Sequence, residues 1–127
     1  MTDHTLRACR IIVVEDEYML AEDLESELLD AEAIILGPVG TVSDALALIE
    51  SEHEIDGAIL DVNLGGEMVF PVADVLVSRR VPLVFTTGYD ASVIPRRFQS
   101  VMRCEKPVDM AAVAVAIGRL IHPSGQA

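Results

Sequence analysis

Basic residues are scarce in this chain of 127 residues. The 9 Lys and Arg residues are far outnumbered by 21 Asp and Glu residues, which gives a formal net charge of −12. A polyanion of this strength repels nucleic-acid phosphates and anionic lipid headgroups. We therefore expect no direct nucleic-acid partner and no membrane-surface partner.

Long apolar runs and cysteines are also scarce. No run approaches the ~20 residues of a membrane helix, and the N-terminus lacks the apolar segment of a signal peptide. Cys9 and Cys104 are too few for a disulfide scaffold or a cysteine-based metal site. Because both lie in or beside apolar runs, we expect them to be reduced, buried thiols of a cytoplasmic protein.

What the chain does have is apolar material for one core, with 51% hydrophobic residues. Short apolar runs alternate with amphipathic segments along its length, a pattern typical of a parallel sheet covered on both faces by helices. The runs are residues 11–14, 34–36, 58–60, 83–85 and 101–102.

Helical spacing and capping signals predict the intervening helices. Leu20, Leu24 and Leu28 recur every four residues, and residues 41–44 have capping-box spacing. A third helix is predicted over 69–78, and Asp109 is expected to cap a last helix that reaches about residue 121. Residues 90–100 contain a proline and two arginines and lack a convincing apolar face, which predicts a short or frayed helix.

Polar residues follow four of the predicted strands: Glu15-Asp16-Glu17, Asp61, Thr86-Thr87-Gly88 and Lys106-Pro107. Carboxyl ends of parallel strands meet at one edge of a sheet, so the carboxylates are expected to converge. Two charges ~4 Å apart repel by roughly 4 kcal/mol at an intermediate dielectric. A raised pKa or a bound divalent cation would relieve that repulsion, and an Asp there can act as a nucleophile towards phosphorus.

Each of these residues also has a plainer interpretation. Glu17 is expected to be a solvated residue at the start of a helix, and Lys106 can be read as a surface lysine before a turn. One of Thr86 and Thr87 is expected to be an ordinary strand residue. Tyr18 is predicted to pack against the core. The joint occurrence at successive strand ends favours a site.

These motifs resemble the receiver domain of bacterial two-component response regulators. The resemblance rests on residues 13–17, 60–64, 87–88 and 106–107, and it covers about residues 9–121. It implies an α/β, flavodoxin-like fold with a five-stranded parallel sheet in the order 2-1-3-4-5. It also implies a stand-alone receiver over residues 1–127, without an effector domain.

The resemblance further implies the chemistry of the site. Asp61 is the implied phosphoacceptor, which takes its phosphoryl group from a histidine kinase or a histidine phosphotransfer protein. Thr87 matches the switch hydroxyl because it precedes the small Gly88, and Lys106 is expected to pair with the phosphoryl group.

A magnesium site is implied at the same place. Asp16 is expected to bind Mg²⁺ directly and Glu15 through water, alongside Asp61 and the backbone carbonyl of Asn63. Mn²⁺ and Ca²⁺ are the alternative metals.

The sequence departs from the usual receiver pattern in two places. Arg103 stands where receivers carry an aromatic switch residue, and residues 63–67 lack the common Met-Pro turn. Residues 85–89 resemble the subgroup called FATGUY, in which the fourth helix is short or mobile. We expect ordering of the segment after that motif to carry the signal in this chain.

Output is expected to come from a downstream protein target or from competition for phosphoryl groups. Residues 110–117 of the last helix carry no charge, and Ala112, Val115 and Ala116 are predicted to face outwards. This face is interpreted either as ordinary exposed alanines of a good helix or as a surface for a partner or a homodimer.

Two other classes of function remain open. An Asp-nucleophile phosphatase would use the same chemistry, but it usually carries a second Asp where this chain has Asn63. A degenerate receiver that acts as a phosphate-independent binding module would lack an acceptor, the metal carboxylates or the lysine. Since this chain has all of them, an active receiver is the preferred hypothesis.

Overall fold

The computed structural model describes residues 6–88 and 91–123, which form an α/β fold around a parallel sheet. Tyr89 of the FATGUY-like motif and Asp90 lie outside the described residues, as do residues 1–5 and 124–127. The strands are β1 Arg10–Val14, β2 Ile34–Val39, β3 Gly57–Asp61, β4 Asn63–Leu64, β5 Glu67–Met68, β6 Leu83–Thr87 and β7 Met102–Glu105.

The central sheet has the order β2-β1-β3-β6-β7, and every neighbouring pair is parallel. Counted without the small antiparallel hairpin of β4 and β5, this is the predicted order 2-1-3-4-5. The predicted fold class is therefore confirmed. The hairpin was not predicted, and it lies directly after Asp61 at the carboxyl end of β3.

Helices cover both faces of the sheet: α1 Tyr18–Asp30, α2 Val42–Ser51, α3 Phe70–Ser78 and α4 Met110–Ile121. The predicted caps are present. Thr41 Oγ1 accepts from the Asp44 N–H at 3.0 Å, and Asp109 Oδ1 accepts from the Ala111 N–H at 3.0 Å. These bonds satisfy backbone donors that the first turn of a helix leaves free.

Alternation along the strands divides the core into two layers. Ile12 and Val14 of β1 belong to the layer under α2 and α3, whereas Ile11 and Val13 belong to the layer under α1 and α4. The central strands β3 and β6 are buried throughout, as predicted, but the edge strands β2 and β7 are partly exposed. An edge strand has a neighbour on one side alone, so solvent reaches part of it.

The segment after β6 contains two short 3-10 turns, Ala91–Val93 and Arg96–Phe98, which agrees with the predicted weak helix. The expected lack of an apolar face is wrong, because Ile94 and Phe98 are buried in the layer under α2 and α3. Phe98 stacks on Phe70 with ring centres 5.7 Å apart and meets Phe85 edge-on at 5.7 Å. Two side chains thus attach a segment that has no regular helix.

Three smaller expectations are also corrected. Tyr18 is 76% exposed rather than packed, because it lies at the first position of α1, where its hydroxyl approaches Glu22 at 3.4 Å. Cys9 is buried, but Cys104 on the edge strand β7 is only half-buried, and both thiols are free. Ala116 is half-buried against the core, whereas Ala112 and Val115 are exposed as predicted.

No helix in the described part of the chain is long and apolar enough to span a membrane.

Arg79, the residue that follows α3, stabilises the end of α2. The last turn of α2 has no basic residue, and the Arg79 guanidinium donates to the carbonyls of Ile49 and Glu52, each at 2.7 Å. We expect Arg79→Met to lower the free energy of unfolding by about 1–3 kcal/mol, since it leaves these carbonyls without a charged donor. Urea denaturation measures this loss. The exposed Arg96, replaced by Met, is the matched control, and an equal effect of both variants would contradict the capping role.

Candidate functional site

Three carboxylates converge at the carboxyl ends of β1 and β3. Glu15 and Asp16 directly follow β1, and Asp61 is the last residue of β3. One carboxylate oxygen from each lies within 4.8 Å of the others. Register explains the convergence, because Val14 of β1 pairs with Leu60 of β3 and the chain places Glu15 and Asp61 at the next position.

Asp61 lies at the base of this cluster and is 3% exposed. Its Oδ2 accepts from the Lys106 Nζ at 2.8 Å, and its Oδ1 accepts from the Asn63 N–H at 3.2 Å. The backbone N–H of Lys106 donates to the Thr87 carbonyl at 2.9 Å, which anchors the loop after β7 to the end of β6. The lysine is therefore positioned by both its backbone and its side chain.

Burial and charge perturb the titration of two groups in the site. Burial raises the pKa of Glu15 to about 8; the adjacent Asp61 carboxylate adds to the rise, and the Glu17 N–H at 3.0 Å opposes it. Burial works against the charge of Lys106, but the hydrogen bond and the charge of Asp61 outweigh it, so the pKa of Lys106 is raised. Raising a carboxyl pKa is one of the two ways to relieve repulsion among carboxylates.

A cleft of about 420 Å³ opens above Asp61. It is lined by Asp16, Glu17, Asp61, Asn63, Gly65, Gly88 and Lys106. The cleft is wide enough for a phosphoryl group and water, and its lining carries acidic oxygens on one side and an ammonium on the other. Such a lining suits a hard, oxygen-preferring cation together with an anionic group.

The hairpin of β4 and β5 forms one wall of the cleft. Asn63 Oδ1 accepts from the Gly66 N–H at 2.6 Å, and Gly65 and Gly66 adopt positive φ angles of 64° and 101°. A Cβ atom on Gly65 would lie 3.5 Å from Asp16 Oδ2, so glycine leaves this carboxylate open to the cleft. The Asn-Leu-Gly-Gly sequence carries a turn signal that predicts this hairpin once the strand boundaries are known.

The structure brings together five of the six predicted site residues around the cleft or its floor: Glu15, Asp16, Asp61, Asn63 and Lys106. Thr87 is buried at the end of β6 and does not line the cleft. Glu17 is exposed and is the N-cap residue of α1, in agreement with its interpretation as a solvated N-cap, but its side chain forms no capping hydrogen bond.

Arg103 occupies the place of the usual aromatic switch on β7. It is half-buried, lies beside Phe85 in the sheet register, and its guanidinium approaches the Gln99 carbonyl at 3.5 Å. Phe70 and Phe98 pack edge-on against Phe85 of β6 instead, with ring centres 6.0 Å and 5.7 Å away, and the sequence does not assign Phe98 to the core.

A parallel sheet of this order, with carboxylates and a lysine at the ends of its strands, defines the class of doubly wound receiver proteins. No protein-family model matches the chain. Among solved structures, SdrG from Sphingomonas melonis Fr1 is 38% identical, with a TM-score of 0.72 and coverage of 91% of this chain and 100% of SdrG. A second SdrG structure, from Pseudomonas melonis Fr1, is described as a BeF3-activated conformation and is 39% identical over 95% of this chain and 99% of that one, with a TM-score of 0.72.

Two further relatives agree with this assignment. A response regulator receiver protein from Sinorhizobium medicae WSM419 is 27% identical, with a TM-score of 0.77 over 92% of this chain and 97% of that one. The phyllosphere-induced regulator PhyR of Methylorubrum extorquens is 32% identical over 123 residues, which cover 90% of this chain but 44% of PhyR. The chain belongs to the response regulator receiver family. Its membership of the FATGUY subgroup stays a prediction.

Proposed function

We propose that this receiver accepts a phosphoryl group on Asp61 from a phosphorylated histidine of a kinase or a histidine phosphotransfer protein. The observation that carries the proposal is the Asp61 carboxylate at the base of an open acidic cleft, with the Lys106 Nζ 2.8 Å from its Oδ2. The BeF3-activated conformation of SdrG supports it, because beryllium fluoride imitates a phosphoryl group on a carboxylate.

The transfer requires little from the chain besides position and charge. An Asp61 carboxylate oxygen attacks phosphorus and forms an acyl-phosphate bond, while the bond from phosphorus to the donor histidine nitrogen breaks. The electron pair of that bond stays on the imidazole nitrogen, which regains neutrality by taking up a proton from water. The Lys106 ammonium, already at Asp61, then pairs with a phosphoryl oxygen and offsets the added negative charge.

Mg²⁺ is the metal that the donor set favours. Every available ligand is an oxygen, and Glu15, Asp16, Asp61 and the Asn63 carbonyl would hold the ion, with Mn²⁺ and Ca²⁺ as alternatives. Burial and the neighbouring Asp61 raise the pKa of Glu15, and a bound cation is the other way to relieve the repulsion among these carboxylates. When bound, Mg²⁺ neutralises negative charge on phosphoryl oxygens.

We assign the switch hydroxyl to Thr87, at the end of β6. Thr87 is 1% exposed and is joined through its carbonyl to the Lys106 backbone. A rearrangement at this strand end would therefore reach both the lysine and the segment that follows β6.

Output from this receiver is proposed to be a phosphorylation-dependent protein contact in the cytoplasm, or consumption of phosphoryl groups as a sink. The outer face of α4 offers one surface for a downstream target or a second copy, since Ala112 and Val115 are exposed there. The strong negative charge argues against nucleic acid and anionic membranes as partners.

The direct test is intact-protein mass spectrometry after incubation with acetyl phosphate, with Mg²⁺ and with EDTA. We expect a gain of about 80 Da, one phosphoryl group, in the presence of Mg²⁺ and none with EDTA. The gain should disappear after treatment with hydroxylamine, which cleaves acyl phosphates. No gain from acetyl phosphate or from a phosphorylated histidine kinase would favour the phosphate-independent binding module.

A further inference from the structure

Thr86, the other threonine of β6, has a buried hydroxyl to which the proposed function assigns no role. Thr86 is 5% exposed, and its hydroxyl makes no hydrogen bond to any residue in 6–88 or 91–123. A buried hydroxyl without a partner is unfavourable, and such groups in proteins almost always bond to the protein or to ordered water. Valine would fill the same space without that cost.

The register of the sheet places Thr86 on the same sheet face as Asp61. Thr86 of β6 pairs with Asp61 of β3, so both side chains emerge on the same sheet face. Thr87, the next residue, emerges on the opposite face. The unexplained hydroxyl is therefore the one that shares a face with the phosphoacceptor.

Beneath the cleft lies a second, much smaller cavity of about 10 Å³. Three of its lining residues carry polar side chains, Glu15, Thr86 and Lys106, and the others are apolar side chains from the sheet, α1 and the start of α4. This volume is at the lower limit for one water molecule, and three polar groups are enough partners for it. Lys106 lines both this cavity and the cleft above.

We propose that Thr86 is a positioning residue of the acceptor site, whose hydroxyl holds one buried water that also bonds Lys106 and Glu15. The catalytic consequence of this inference rests on the proposed function. An ammonium has three N–H donors. One points to Asp61 at 2.8 Å, the water takes a second from below, and the third is left directed to the cleft, where the phosphoryl group would arrive.

Two substitutions separate the hydroxyl from the shape of the side chain. Thr86→Val keeps the volume and removes the hydroxyl, whereas Thr86→Ser keeps the hydroxyl. Ile59→Val, an apolar change in the wall of the same cavity, is the packing control. NMR on each variant measures contacts between bound water and residue 86 and the solvent exchange of the Lys106 ammonium protons. The rate of Mg²⁺-dependent phosphorylation by acetyl phosphate is then measured separately.

We expect a water contact at residue 86 in the wild-type protein and in Thr86→Ser. In Thr86→Val that contact is lost, ammonium exchange is faster, and the phosphorylation rate falls about five- to tenfold, the size of one water-mediated hydrogen bond. Ile59→Val should stay within about twofold of the wild type in both rates, because it removes no polar group.

Absence of bound water at Thr86 in the wild-type protein would overturn the inference without any variant. Unchanged ammonium exchange in a folded Thr86→Val protein would overturn it as well. If the wild-type protein takes up no phosphoryl group from any donor, the proposed function fails, and the NMR measurements on the unmodified protein still decide the role of Thr86.

Discussion

Asp61→Asn is expected to abolish phosphorylation of the chain, so that the mass gain of about 80 Da from acetyl phosphate and Mg²⁺ falls to zero. An amide is neutral and does not attack phosphorus as a carboxylate does. Glu15 and Asp16 do not replace the lost nucleophile, because the ion pair with Lys106 is made by Asp61, with the Nζ 2.8 Å from its Oδ2. The measurement is intact-protein mass spectrometry over a time course.

Asp23→Asn is the matched control for Asp61→Asn, since it makes the same chemical change on the exposed face of α1. This control is expected to gain mass at the wild-type rate. The Asp61→Asn protein should remain folded, because the two side chains have the same shape and the carboxyl groups of Glu15 and Glu17 remain near Lys106. A full mass gain in a folded Asp61→Asn protein would place the acceptor at another residue.

Phe98→Ala is expected to have the largest effect on stability. Phe98 is 2% exposed and closes a cluster with Phe70 and Phe85, so its removal leaves a cavity in the layer under α2 and α3. Losses of about 3–5 kcal/mol are usual for such a change, a large share of the total for a domain of this size. Urea denaturation monitored by circular dichroism gives the difference in the free energy of unfolding.

The same variant tests whether residues 91–101 are attached through Phe98. Arg97 supports the attachment from the surface, with a two-pronged ion pair to Asp74 at 2.9 Å, and its guanidinium lies over the Phe98 ring. We expect amide exchange across 91–101 to accelerate more in Phe98→Ala than in the control Val93→Ala, whose side chain is 41% exposed. Equal exchange in the two variants would contradict an aromatic anchor.

This attachment bears on the proposed signalling, because the chain has Arg103 where receivers carry an aromatic switch residue. Phe85 directly precedes the two threonines at the end of β6, and it packs edge-on against Phe98. A shift at that strand end upon phosphorylation would thus be felt by the segment through ring contacts. Amide exchange over 91–101 that does not change upon phosphorylation would exclude this segment as the carrier of the signal.

Local patterns in the sequence predict the strands, the helices and the acidic cluster, whereas the order of the strands follows from the resemblance to receivers. Short β-branched runs, capping residues such as Thr41 and Asp109, and acidic residues directly after strands each act over a few neighbouring positions. Parallel strands bring their carboxyl ends to one edge whatever the details of packing, so Glu15, Asp16 and Asp61 were expected to meet, and they lie within 4.8 Å of one another.

Other features of the site and the core depend on the register of the strands and on contacts between distant segments, so only the tertiary structure determines them. The pairing of Asp61 with Thr86 determines which of the two threonines shares a sheet face with the acceptor. The role of Phe98 is also decided by a distant contact, because it lies in a polar segment and is buried by stacking on Phe70. Arg79 lies at the end of a helix, and its capping role follows from its hydrogen bonds to the carbonyls of α2. The prediction for Tyr18 is wrong for the same reason: an aromatic residue is buried only where another element covers it, and within residues 6–88 and 91–123 none covers the first turn of α1 at that position.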